Sequence, residues 1–320
     1  MAQAATKRAG GNRAPSWAAA AACAVYAFLL IYRLGAREFW LDEFITARRL
    51  GANLGGDFFH PPGYYWLLRQ WSHELGSDDG ALRGFSVLCA LLAALLLWAI
   101  ARQLLRPWPA ALAVWLWVLS PTGLLYMRMA RYFALTAAVA LLVAYLALHA
   151  RRVGRRRSYL GLGLAAAGLL LTNYAAACLL PLAFVWVLPA ARRQRRGAWW
   201  LAALALPAAL LLYRLPLLLF GVRSIAEMEP GPLAFGLRAV LTKLGFVGYS
   251  ALLGETTDFW RLGVVVPVAL AGVLLAIAGV RAFQRDRGGE RWLPLVAWPA
   301  AVAVVTLLMS RVWSPSRGHG

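Results

Sequence analysis

The sequence predicts an all-α integral membrane protein: a polytopic helical bundle of about nine membrane segments, with a short interfacial helix in its first exported loop. Three observations carry that expectation. The 320 residues are 62% hydrophobic and 14% charged, with a mean hydropathy of +0.63, too apolar for a water-soluble domain of this length. Apolar stretches recur at the roughly 20 residues needed to cross a bilayer core of about 30 Å. The arginines fall in short runs between those stretches, while the period-two alternation of a β-barrel is missing.

The elements follow in order. Residues 1–16, with Lys7, Arg8 and Arg13, form a cytoplasmic tail, and the apolar stretch 17–35 lacks a small-residue cleavage site, so it reads as a retained first helix. An exported loop, 36–82, precedes spans at 83–105, 108–126 and 129–149. The stretch 159–190 is too long for one helix and is interrupted by Thr172-Asn173-Tyr174, which predicts two short helices. A span at 198–220, a second exported loop at 221–260, and spans at 261–282 and 292–312 complete a single membrane domain, 17–313, with an exported tail, 314–320.

Sidedness follows from charge. With the N-terminus in the cytoplasm, Arg102 and Arg106, Arg151 to Arg157, Arg192 to Arg196 and Arg281 to Arg291 all lie inside, as the positive-inside rule requires. The two exported loops hold eleven of the thirteen acidic residues, which places acidic chemistry on the periplasmic or extracellular side of a plasma (inner) membrane. The net charge of +20 is therefore a topology signal; nucleic acid is not expected as a partner, because no basic run is interleaved with exposed stacking aromatics. Cys23, Cys89 and Cys178 lie inside apolar segments without metal-ligand spacing, so neither a disulfide nor a zinc site is implied.

Candidate chemistry gathers in the exported segments. Asp42 and Glu43 lie just beyond the first span among large aromatics, where a carboxylate against an apolar wall can act as a base and its neighbour can orient the site. His60-Pro61-Pro62-Gly63-Tyr64-Tyr65 opens the interfacial helix; His60 reads as structural or positioning, and Tyr64 and Tyr65 as belt aromatics or sugar platforms. Arg128 and Arg131, next to Tyr132 at the start of an apolar helix, are one turn apart; both suit a phosphate in a shared cavity, or interface snorkelling. Lys243, the only lysine outside the N-terminal tail, is either a further phosphate ligand or a solvated charge.

Asp42-Glu43 after the first span, His60-Pro61-Pro62-Gly63-Tyr64-Tyr65, Ser120-Pro121 leading into Ala130-Arg131-Tyr132, and Thr172-Asn173-Tyr174 fall in an order that resembles the family 39 type of GT-C glycosyltransferases, which includes protein O-mannosyltransferases and the aminoarabinose transferase of lipid A. The resemblance runs from about Trp17 to Leu188. It implies a GT-C-like bundle that transfers a sugar from a polyprenyl-phosphate carrier to a lipid, glycan or protein acceptor on the exported side, usually with inversion. It implies Asp42 as general base supported by Glu43, and Arg128, Arg131 and Lys243 around the departing phosphate. His60, Tyr64, Tyr65, Tyr132, Asn173 and Tyr174 become substrate-binding candidates with them. Two positions depart from the pattern: Met129 stands where an acidic residue is usual, which argues against a metal there, and Asn173 stands where His is frequent and cannot titrate. No soluble cofactor is expected, and a divalent cation only through Asp42 and Glu43. The competing readings are a non-catalytic protein of the same fold that binds lipid-linked sugar or scaffolds a partner, and a transporter or flippase, which would show paired repeats and mid-membrane charges.

Overall fold

The computed structural model describes residues 13–36, 38–51, 61–177 and 180–228. The chain divides into two compact units, 1–221 and 222–320, and the described residues belong to the first apart from the end of the last helix. Eleven helices and no strand occur among them: α1 (Arg13–Ile31), α2 (Leu41–Arg49), α3 (Pro62–Leu75), α4 (Asp79–Leu104), α5 (Pro107–Val118), α6 (Pro121–Arg128), α7 (Phe133–Val153), α8 (Arg156–Thr172), α9 (Tyr174–Ala177), α10 (Leu180–Arg193) and α11 (Gly197–Met228). The expected spans at 261–282 and 292–312, and most of the loop 221–260, lie outside the described residues.

Four of these helices are long and apolar enough to cross a membrane, over Ala14–Ile31, Asp79–Leu104, Phe133–Val153 and Gly197–Phe220. The protein is therefore membrane-embedded; the stretch expected as a span over 108–126 is broken, with α5 and α6 forming a pair bent by 60°. The break has a local cause. The Ser120 hydroxyl caps a new helix by accepting from Gly123 N–H at 3.2 Å, and Pro121 occupies the first turn, where its missing N–H costs nothing. The interruption expected at Thr172-Asn173-Tyr174 is present, ending α8 at Thr172. Asn173 Oδ1 then accepts from Ala176 N–H at 3.2 Å, starting the short turn α9.

Small residues let these helices approach. Ala19 and Ala22 on α1, Ala110 and Ala111 on α5, Ala90 and Ala94 on α4, and Ala134 and Ala138 on α7 are buried, as expected where lipid supplies no hydrophobic drive and close packing must hold helices together. α4 packs on α1, α5 and α7, and α7 on α8 and α10. At Gly163 a Cβ would come within 2.6 Å of the Ala203 carbonyl oxygen, so glycine is what allows α8 to touch α11 there.

The Arg-rich turns meet at one end of the bundle. Arg152 on α7 donates to the Gln103 carbonyl at 2.6 Å, and Gln194, after α10, donates to the Arg151 carbonyl at 2.7 Å while accepting from Tyr159 Oη at 3.1 Å. Helices α2 and α3 sit within the segment expected as the first exported loop. Helix α3 is tied to its surroundings by Trp71 Nε1, which donates to the Ala81 carbonyl at 2.8 Å, and by Gly63, where a Cβ would lie 2.8 Å from the Leu171 carbonyl oxygen of α8.

Candidate active site

Asp42 and Glu43 are expected in a loop; they occupy instead the first turn of a helix, α2, where acidic side chains complement the N-terminal end of the backbone dipole as Arg48 and Arg49 complement the other. Adjacent residues on a helix point about 100° apart, and this separation gives the two carboxylates different surroundings.

Glu43 turns inward and is 1% exposed. Arg83, near the start of α4, grips it with both arms of the guanidinium, Nε to Oε1 at 2.9 Å and Nη2 to Oε2 at 2.7 Å. Oε1 also accepts from Ala130 N–H at 2.8 Å and Oε2 from Trp40 N–H at 3.1 Å, the second closing the start of α2 as a capping-box glutamate does. Arg83 also donates to the Leu34 and Glu38 carbonyls at 3.0 and 3.1 Å. One ion pair thus joins α4, the chain after α1, α2 and the segment after α6. Burial opposes the charge on Glu43, but the Arg83 guanidinium and the two backbone N–H groups outweigh it and hold the carboxyl below its ordinary value. A carboxylate with that many fixed donors is an anchor.

Asp42 turns outward, with 55% of its side chain exposed. Its Oδ2 lies 3.8 Å from Nη2 of Arg131, whose own side chain is 8% exposed, and Arg131 Nη1 donates to the Asp42 backbone carbonyl at 3.3 Å. The Arg131 guanidinium rests on the Tyr132 ring at 5.2 Å from its centroid. Tyr132 meets Tyr64 edge to face at 6.4 Å, and Tyr64 meets Tyr65 in the same manner at 5.3 Å. Tyr64 and Tyr65 are both 1% exposed. Burial raises the proton affinity of both hydroxyls, which leaves them un-ionised near Arg131. This arrangement presents an open carboxylate beside a positive charge fixed on an aromatic floor.

The expectation that Arg128 and Arg131 lie one turn apart on a helix is corrected. Arg128 ends α6, and Arg131 lies in the bend before α7, where its N–H closes a tight turn onto the Met129 carbonyl at 2.7 Å. The helix stops there because Ala130 N–H is drawn to Glu43. Arg128 donates to the Tyr32 carbonyl at 2.6 Å and lines a cavity of about 490 Å³ with Met129, Trp40, Glu43 and Arg83. Neither Asp42 nor Arg131 lines it. Asn173 ends α8 as described, and Tyr174 opens α9, half-buried. His60 and Lys243 lie outside the described residues. Sequence reasoning missed Arg83; the available signal was a charge at the mouth of an apolar span, which calls for a partner. Among the described residues no group of three or more His, Cys, Asp or Glu gathers at metal-ligand distance.

Residues 59–223, just over half of the chain, match the family described as dolichyl-phosphate-mannose-protein mannosyltransferase. The chain belongs to this family. It is accordingly a mannosyltransferase-like membrane glycosyltransferase of the GT-C type, a class that uses polyprenyl-phosphate-linked sugar donors. The matched range contains Arg83, Arg128, Arg131 and Asn173 and begins after Asp42 and Glu43. Neither a curated protein nor a solved structure matches the chain.

Proposed function

We propose that the protein transfers a sugar from a polyprenyl-phosphate carrier to an acceptor hydroxyl on the periplasmic or extracellular side of the plasma membrane, with inversion, and that Asp42 is the base. The observation that supports this reading is the contrast within α2: Asp42 is open and stands beside the fixed Arg131, while Glu43 is consumed by Arg83 and backbone donors. Asp42 takes the acceptor's proton as the hydroxyl oxygen attacks the anomeric carbon, and the bond from that carbon to the phosphate oxygen breaks. The lipid phosphate departs carrying the additional negative charge. Arg131, oriented before the reaction by Tyr132 and the Asp42 carbonyl, opposes that developing charge without having to reorganise. The acceptor is a lipid, glycan or protein. A cytoplasmic N-terminus is part of this reading, and the Arg-rich turns that gather where α4 and α7 end support it through the positive-inside rule.

No soluble cofactor enters this step, and a divalent cation would find Asp42 as its carboxylate, since Glu43 is committed to Arg83. A second reading, a family member that binds lipid-linked sugar without turnover, rests on Met129 in place of the usual acidic residue. Purified full-length protein in lipid nanodiscs, given a panel of polyprenyl-phosphate sugars with candidate acceptors, separates the two. Release of free polyprenyl phosphate supports transfer; donor binding without release selects the second reading.

A further inference from the structure

The cavity lined by the Glu43–Arg83 pair has a chemistry of its own. It lies where α1 ends and α6 ends, so its depth is the membrane interface. Its apolar wall is Leu29, Leu124 and Leu125, and among the described residues three arginines, Arg33, Arg83 and Arg128, and one carboxylate, Glu43, line it with them. Glu43 is paired tightly with Arg83, and Arg33 and Arg128 are the other charged side chains among the described lining residues. Tyr32 and Trp40 also line it and are 56% and 48% exposed, amphipathic rings of the kind found at headgroup level, and Phe28 and Ile31 beside them on α1 face outward. Arg33 is placed by its backbone, at φ 53° in the left-handed region, one of two non-glycine residues there among those described. That turn ends α1 and sets the Arg33 side chain at the cavity.

A positively charged, half-apolar cleft at headgroup depth fits an amphiphile with a negative head. We propose that this cavity binds the headgroup of an anionic phospholipid of the surrounding bilayer, its phosphate between Arg33 and Arg128 and the start of one chain along Leu29, Leu124 and Leu125. Asp42 and Arg131, which the proposed transfer uses, are not among the residues that line it. Occupancy bridges the ends of α1 and α6, which Arg128 already joins through the Tyr32 carbonyl.

Native mass spectrometry of the full-length protein with added phosphatidylglycerol or phosphatidylcholine tests this, with Arg33→Gln and Arg128→Gln alongside. One phosphatidylglycerol is retained in preference to phosphatidylcholine, and each substitution lowers that preference about fivefold, the effect of removing one interfacial cation. Arg33→Gln keeps the test decisive if Arg128→Gln fails to fold through loss of its bond to Tyr32. Equal retention of the two lipids by the wild type, or a preference untouched by Arg33→Gln, overturns the proposal. Displacement of phosphatidylglycerol one for one by polyprenyl phosphate, with the same sensitivity to Arg33→Gln, also overturns it and assigns the cavity to the sugar donor.

Discussion

Asp42 and Glu43 are neighbours in sequence and of the same chemical type, yet they meet opposite environments. Glu43 sits at the junction of four segments with four donor contacts, and Asp42 is open with one cation beside it, itself resting on Tyr132. The difference shows how a helical first turn divides labour. One carboxylate spends its charge on holding α2 against α4 and the bend before α7. The residue before Glu43 in the turn keeps its carboxylate exposed.

The largest expected effect on stability falls on the anchor. Glu43→Gln leaves the Arg83 charge buried without a counter-ion and should lower unfolding free energy by about 3–5 kcal/mol, read from denaturant unfolding in detergent micelles. A loss under about 1 kcal/mol would show that the pair is poorly coupled to the fold. The same anchor predicts an acid limb. Because folding lowers the Glu43 carboxyl from its ordinary 4.5, its stabilisation is fully present above that value and is lost as pH falls through the lower folded value. A melting-temperature series from pH 7 downward should show that loss in the wild type and a flattened acid limb in Glu43→Gln.

A smaller effect is expected where the floor of the site meets the bundle. Gly63→Ala pushes a methyl group against the Leu171 backbone and should cost about 1–3 kcal/mol by displacing the first turn of α3, measurable as a lowered melting temperature. The smallest effect belongs to the open carboxylate: Asp42→Asn is nearly isosteric on an exposed side chain and should change stability by no more than about 0.5 kcal/mol.

The contrast was only half legible in the sequence. Apolar length showed the spans at α1, α4, α7 and α11, and Thr172-Asn173-Tyr174 showed the break after α8, because a bilayer makes both requirements local. Ser120-Pro121 signals a helix start, but the 60° bend between α5 and α6 depends on packing that a run of hydropathy does not encode. The Asp42-Glu43 pair was visible; which of the two would be buried was not, because Glu43 meets Arg83 from 40 positions away and Ala130 from 87. The expectation that Arg128 and Arg131 share a face failed for the same reason: the backbone bond from Ala130 to Glu43 ends α6 between them.

The proposed roles of Asp42 as the reactive carboxylate and Glu43 as the anchor are tested most directly by polyprenyl phosphate release per folded molecule by wild type, Asp42→Asn and Glu43→Gln in nanodiscs, with folded fraction measured on the same samples. Asp42→Asn should remain folded and lose on the order of 10²–10⁴ in rate, as removal of a general base does, while the loss in Glu43→Gln should track its folded fraction. Full turnover by folded Asp42→Asn, or a folded Glu43→Gln that is equally inactive, would contradict them.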